Sequence, residues 1–410
     1  MSRYFPRIVD AELERSLRIA GGVHVRGPRA CGKTATARQQ AASMARLDLD
    51  TPEAALGQLN VAGLLAGDTP RLLDEWQAIP EVWNAVRHEI DDRGERGQFI
   101  LTGSSTPNDD AVRHPGAGRI VSLTMRTMTL SERAAAGYLP GSEGTTKASL
   151  GALLGGQLET SAGTTATVSD YANWIVGGGW PGFIDLASQD AQYQLDSYLQ
   201  EVAERDYPQI SGPRRNPLRL LSFLRAYAGV VGQPASMAGI RKRIGEQVGT
   251  QPGEELVSDL HEFSQRLFMI EDQPAWSTSL RSKTALVTTP KRHLADPSLM
   301  AALLGAGPER LVGDLETFGF AFESQVVHDL RVYAQANRVR GVFHMRDTKG
   351  RDEIDVIVEG SDGRWAGFEV KLSHAQVERA ADNLLRIAAK VTTPPTALVV
   401  VIPTGPVTRL

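Results

Sequence analysis

Eight consecutive residues, Gly27-Pro28-Arg29-Ala30-Cys31-Gly32-Lys33-Thr34, have the composition of a phosphate cradle. They follow the pattern G-x-x-x-x-G-K-[ST], and each fixed position has a chemical reason. Glycine at 27 and 32 lets the backbone curl until consecutive N–H groups point at phosphate oxygens. Lys33 supplies a point charge for the β- and γ-phosphates of a nucleotide, and Thr34 a hydroxyl for Mg²⁺. The ligand implied is ATP with Mg²⁺.

Two carboxylates close the apolar run Leu72-Leu73-Asp74-Glu75, the Walker B pattern. Asp74 is expected to hold Mg²⁺ through its water shell, since that ion keeps waters and takes one or two carboxylates. Glu75 is expected to act as the base that orients the attacking water. The stretch from Gln98 to Ser105 reads as a further strand, with Thr102, and Ser104 second, placed to sense the γ-phosphate. Ligands of open α/β sheets bind at such strand ends. Arg119 precedes another alternating strand, Ile120 to Thr124, and two readings stand side by side. It reaches a phosphate, in its own subunit or a neighbour's, or it makes a surface salt bridge.

A second set of chemical residues lies near the far end of the chain. Glu323 sits in a helical stretch, Asp355 in the strand Glu353 to Val358, and Glu369 and Lys371 in the strand Trp365 to Lys371. Glu, then Asp, then Glu-x-Lys is the PD-(D/E)XK nuclease pattern. The short turn Ser361-Asp362-Gly363 makes the two strands neighbours, so Asp355 and Glu369 are candidate metal ligands. Lys371 would orient water or stabilise phosphorane charge, and Glu323 would complete the acidic cluster.

These residues need elements to hold them. Gly22 to Arg26 gives a strand before the loop, and Ala35 to Ala42 a helix after it, which is the context the motif requires. Val82 to Asp91 has helical spacing, with Trp83 and Val86 as packing residues. Residues 140–168 are rich in Gly, Ser and Thr and read as a linker or mobile insertion. Helical segments follow, among them Tyr193 to Arg205, which leads to Arg205-Asp206, read first as a structural pair and second as a lid contact over the nucleotide. Three more, carrying Leu218-Leu221-Leu224, Met237-Ile240-Ile244 and Leu256-Leu260-Phe263, precede a strand at Leu267 to Glu271. Helix-helix-helix-strand suggests a winged helix. Its second helix is basic at Arg241-Lys242-Arg243 but its third is acidic, which argues against base reading in the major groove. Ala375 to Ala389 reads as an amphipathic helix on the last sheet.

Composition sets the bounds. A chain of 410 residues has room for several cores, and 41% hydrophobic with 22% charged residues suits a globular protein. The net charge of −4 gives no global attraction to nucleic acid, so DNA or RNA contact needs a local basic face. One cysteine excludes an internal disulfide and fits a reducing cytoplasm. No run approaches the ~20 apolar residues of a membrane span.

The run LLDEWQAIPEVWNAVRHEIDDRGERGQFILTGSS, with the phosphate loop before it and GRIVSLTMRTMTLSE after it, resembles the AAA-type prokaryotic ATPases. More narrowly, it resembles the group that carries a nuclease-like C-terminal domain of unknown function. The Gly177-Gly178-Gly179-Trp180 element and the spacing of Tyr198, Leu199, Arg205 and Asp206 share in that likeness. The resemblance implies an α/β P-loop NTPase domain over residues 1–140 and a linker and helical lid region over 141–215. A winged-helix-like module would cover 216–289, and a restriction-endonuclease-like α/β domain 290–410. It also makes a homo-oligomer plausible, because such ATPases often need a neighbour's arginine. The leading reading is a Mg²⁺-dependent ATPase coupled to the nuclease-like domain and acting on nucleic acid. Two others stand beside it: a metal-dependent nuclease switched by ATP, in a defence or toxin-like role, and a non-catalytic nucleotide-dependent scaffold.

Overall fold

Five short strands build the N-terminal sheet: β1 (Gly22–Arg26), β2 (Ser43–Arg46), β3 (Arg71–Asp74), β4 (Phe99–Gly103) and β5 (Ile120–Thr124). All four pairings are parallel, in the order β2-β3-β4-β1-β5. This is a computed structural model, and it describes residues 3–48, 51, 55, 60–104, 116–139, 150–157, 161–207, 216–277, 289–347 and 350–407. A parallel sheet must be covered on both faces, and the apolar residues of β3 and β4 divide accordingly. Leu73, Phe99 and Leu101 pack with Val82, Trp83 and Val86 of the helix Glu81–Arg93. Leu72, Ile100, Val23 and Val25 pack with Leu13 and Leu17 of the helix Asp10–Ile19 on the other side. The helix after the phosphate loop is shorter than expected, Lys33–Arg38. Ala42 already donates its N–H to Pro70 O, which draws the chain into β2.

The middle of the chain is helical and shares one apolar core. The helices Val168–Gly177, Ser188–Glu201, Pro217–Ala228, Met237–Val248, Glu254–Arg266 and Pro297–Leu304 all contribute to it. This core runs across the boundary expected at 289/290. Ser188–Glu201 continues as a π-helical turn, Val202–Asp206. Leu220, Phe223, Leu224 and Tyr227 are buried, while Leu218 is 68% exposed, so the helix turns a different face inward than its leucine spacing suggests. Leu267 to Glu271 is not a continuous strand. Phe268 has a left-handed backbone, and the extended chain beyond it pairs by single bridges, Ile270 with Leu294 and Gln273 with Lys291.

The C-terminal sheet has β7 (Gly341–Arg346), β8 (Glu353–Glu359), β9 (Trp365–Val370) and β10 (Ala397–Val401), in the order β10-β9-β8-β7. The 22-residue helix Leu315–Ala336 covers one face and the helix Val377–Ala388 the other. Part of the stretch read as a linker belongs here. Leu150 and Leu154 of the short helix Leu150–Leu154 pack among Val327, Val356 and Ala366, and β6 (Ser161–Thr164) pairs with β11 (Gly405–Val407). The Gly, Ser and Thr around them mask a small apolar face in the composition. Among the described residues no helix is long and apolar enough to cross a membrane.

One segment joins the parts. Beyond β5, Met128 N donates to Gly179 O and the Thr127 hydroxyl to Asp296 Oδ2 at 2.6 Å. Leu130 N donates to Asp329 Oδ2 at 3.0 Å, on the helix Leu315–Ala336. The N-terminal segment is tied to the same place. Arg7 pairs with Glu132 at 3.1 Å, both side chains 4% exposed, and also donates to Cys31 O and Arg126 O. Removing one partner of a buried pair leaves an uncompensated charge. Arg7→Met is therefore expected to cost about 3–5 kcal/mol of stability, read as a lowered urea midpoint with unchanged m-value.

Candidate nucleotide site and C-terminal carboxylate centre

The loop Gly27–Thr34 has the shape its sequence requires. Gly27, Ala30 and Gly32 all have positive φ, at 155°, 63° and 103°. At Gly27 the reason is contact: a Cβ there would lie 2.0 Å from Met125 O. Lys33 is buried and donates from Nζ to Gly27 O at 3.0 Å and Pro28 O at 2.8 Å, which holds its ammonium across the loop. Pro28 and Cys31 are buried, and Arg29 and Ala30 are exposed at the rim.

Strand register brings the other nucleotide residues to this end of the sheet. Asp74 lies opposite Thr102, and Thr102 opposite Val25, so the ends of β3, β4 and β1 are level. The Thr34 hydroxyl donates to Asp74 Oδ1 at 2.7 Å, and the Thr102 hydroxyl donates to the same oxygen at 2.5 Å. A hydroxyl and a carboxylate paired beside the phosphate loop match the donor set Mg²⁺ prefers. Thr102 is fully buried and its hydroxyl is committed to Asp74, so it orients that carboxylate. Glu75 follows with φ 53° and ψ 48°, a strained conformation for a residue with a side chain. Gln77 Nε2 donates to its Oε2, and Ser104 Oγ reaches the same oxygen at 3.4 Å.

Arg119 is elsewhere. Its carbonyl accepts from Gly22 N, at the start of β1, whereas the phosphate loop leaves the other end of that strand. Five residues of strand separate the two, or roughly 16 Å at about 3.3 Å per residue. Its guanidinium grips Asp91 at 2.7 and 2.8 Å at the surface. The surface salt bridge is the reading the structure supports within one subunit, and contact with its own nucleotide is excluded.

The middle helices border the loop. Asp206, in the π-helical turn, lies 3.6 Å from Arg29. Burial raises the Asp206 pKa, Arg29 opposes this, and the nearby Glu201 and Glu75 raise it further. Arg241 and Lys242 are engaged with Glu254 and Glu246, at 2.7 and 3.8 Å, so the basic helix is partly neutralised.

In the C-terminal domain the expected residues meet. Asp355 and Glu369 stand on adjacent antiparallel strands, and Lys371 reaches both, at 3.5 Å from Asp355 Oδ2 and 2.9 Å from Glu369 Oε1. Glu323 comes in from the helix Leu315–Ala336, joined to Asp355 through Lys291. Lys291 and Glu353 were not foreseen as members. Lys291 is separated from Glu323 by 32 residues and from Asp355 by 64, so no local spacing signals it. Arg346 lies 3.7 Å from Glu353. Burial lowers the Lys291 pKa, but Glu323, Asp355 and Glu353 outweigh it and hold the ammonium charged. Burial pushes the Glu323 carboxyl up to about 8, with Lys291 opposing and Asp355 reinforcing.

Comparison with known proteins matches three successive stretches of the chain. The AAA domain family matches residues 21–134. A domain of unknown function, DUF8612, matches residues 168–310, and another, DUF4143, matches residues 318–409. Uncharacterized proteins of Mycobacterium bovis and Mycobacterium tuberculosis are each 24% identical over 376 residues, covering 89% of this chain and 73% of theirs. A Walker-type ATPase of Pyrococcus abyssi is 13% identical with a TM-score of 0.46, covering 73% of this chain and 96% of that one. The AAA match, laid over the parallel sheet and its loop, supports a P-loop ATPase domain in the N-terminal part of the chain.

The C-terminal centre makes stability depend on pH. Burial and then Asp355 push the Glu369 carboxyl from 4.5 up to about 7, against the pull of Lys371 and Lys291. An acid with a raised folded pKa contributes stability below its unfolded value and loses it as pH rises through the folded one. Wild type is therefore expected to lose thermal stability between pH 4.5 and about 7 more steeply than Glu369→Gln. Melting curves of the two proteins across that window check this.

Proposed function

We propose that this chain is a Mg²⁺-dependent ATPase whose nucleotide state is passed to its C-terminal domain. One observation carries the reading. Thr34 and Thr102 both bond Asp74 Oδ1 at the mouth of the phosphate loop, with Glu75 next in the chain. A lone phosphate-binding turn has no use for that second carboxylate.

Each residue then has a task. The loop amides and Lys33 hold the β- and γ-phosphates. Thr34, and Asp74 through water, would hold Mg²⁺, which would supply positive charge to the phosphate oxygens. Glu75, steadied by Gln77 and Ser104, takes a proton from water as its oxygen bonds to the γ-phosphorus. The bond from that phosphorus to the bridging oxygen breaks, leaving ADP and phosphate.

The route onward is the segment after β5. It touches the loop through Met125 and the C-terminal helix through Thr127 and Leu130. A nucleic-acid partner and assembly into an oligomer belong to the proposal as further parts. In an oligomer, Arg119 could serve only a neighbour. Cleavage of nucleic acid is left out, because Lys291 Nζ lies among the carboxylates that cleavage would need.

Turnover measurements test this. Lys33→Ala is expected to lose ATP binding. Glu75→Gln should keep it while turnover falls roughly 10²–10⁴-fold, the range for losing a general base. Stimulation of wild type by DNA or RNA would support the nucleic-acid part. Wild type that binds ATP with no turnover, alone or with nucleic acid, would overturn the ATPase and leave a nucleotide-dependent scaffold.

A further inference from the structure

The C-terminal domain carries the residue pattern of a metal-dependent nuclease, but a lysine fills its centre. Lys291 Nζ lies 2.8 Å from Glu323 Oε1, 3.1 Å from Glu353 Oε1 and 3.2 Å from Asp355 Oδ1. Its side chain is 1% exposed. An ammonium has three protons to donate; Glu323 and Asp355 accept hydrogen bonds from it, and Glu353 stands within ion-pair distance. Lys371 takes up what remains. It bonds Glu369 Oε1 at 2.9 Å and lies 3.5 Å from Asp355 Oδ2, which also accepts from Val370 N at 2.9 Å.

The fit to a divalent ion can be judged from this. Both oxygens of Asp355 and one of Glu369 are engaged by protein donors. Glu369 Oε2 is buried without a hydrogen-bond partner, the one feature that invites a cation. A Mg²⁺ ion needs near-octahedral oxygens at about 2.0–2.1 Å and would sit against two ammonium groups. Among the described residues, no group of three or more His, Cys, Asp or Glu side chains is arranged to hold a metal. The charge such an ion would supply is already present.

We infer that the Lys291 ammonium is the resident cation of this centre, in the place a divalent metal would take, and that the domain is a transmitting unit with no metal-dependent nuclease activity. The position of Lys291 gives that charge a mechanical task. Arg292 pairs with Asp272, His293 bonds Ser324 at 3.1 Å, and Asp296 accepts from Thr127 and Gly179. Six residues thus reach from the carboxylate centre to the segment that follows β5. The ammonium pins one end of that span to the helix Leu315–Ala336 and to β8.

Mn²⁺ binding to the full chain without nucleotide tests the inference, with free Mn²⁺ followed by electron paramagnetic resonance. Wild type and Asp355→Asn are expected to give the same isotherm, since Asp355→Asn leaves Thr34 and Asp74 untouched. Glu369→Gln serves in its place if Asp355→Asn does not fold. Lys291→Met removes the charge and keeps the bulk, and is expected to take up one additional Mn²⁺. If it folds only when Mn²⁺ is present, that supports the exchange equally. A wild-type equivalent lost in Asp355→Asn or Glu369→Gln would overturn the inference. So would Mn²⁺-dependent cleavage of DNA or RNA lost in the same variants, or a folded Lys291→Met protein that binds no more Mn²⁺ than wild type.

Discussion

The backbone of Met125 lies so close to Gly27 that no side chain fits between them, and much of the molecule depends on that approach. It fixes the phosphate loop against the chain leaving β5, where Cys31 Sγ also reaches Met125 O at 3.6 Å. A second approach of the same kind occurs three residues on. A Cβ at Gly179 would lie 2.1 Å from Met128 O. Two glycines therefore clamp a four-residue span, one from the nucleotide side and one from the helical middle. Packed interfaces of this density change by switching between arrangements, because they cannot deform continuously. A phosphate that moves the loop must carry this span with it or break its hydrogen bonds.

Between the two clamps lies a buried polar network. The Thr127 hydroxyl donates to Asp296 Oδ2, and His328 Nε2 lies 2.9 Å from the same hydroxyl. His328 Nδ1 is 2.9 Å from Asp329 Oδ1. The distances are those of a nucleophile, a base and an orienting acid, yet the chemistry is closed. Thr127 is fully buried and its proton is committed to Asp296, so no substrate can approach. Since Thr127 already donates, Nε2 must supply the hydrogen to it. Burial raises the Asp329 pKa, and the hydrogen bond with His328 opposes it. Such a network holds its partners in one register, and losing any member strands the others without water.

How much of this could be read from the chain follows from sequence separation. The phosphate loop was legible because its eight residues are contiguous and each has a local reason. Asp74 and Thr102 were legible because a strand end is visible as an apolar run stopping at a polar residue. Arg119 was not, because its contiguous neighbours do not say which end of the sheet it occupies. That depends on the parallel pairing of β5 with β1. Arg7 with Glu132, 125 residues apart, and Thr127 with His328, 201 apart, leave no pattern at all. The leucines of Leu150–Leu154 were hidden by their glycine-rich surroundings, which describe a linker in composition while a small face still packs.

The carboxylate centre shows the same limit in its chemistry. Asp355, Glu369 and Lys371 fall within one hairpin and its exit, so their spacing announces a nuclease. The spacing fixes only where those side chains are, and their function depends on the charge brought to them. With a metal they would polarise phosphate. With the ammonium of Lys291, delivered from an extended segment that also meets the ATPase segment, the same oxygens become anchors of a joint. A catalytic pattern can thus persist in a fold because its carboxylates still have a cation to hold.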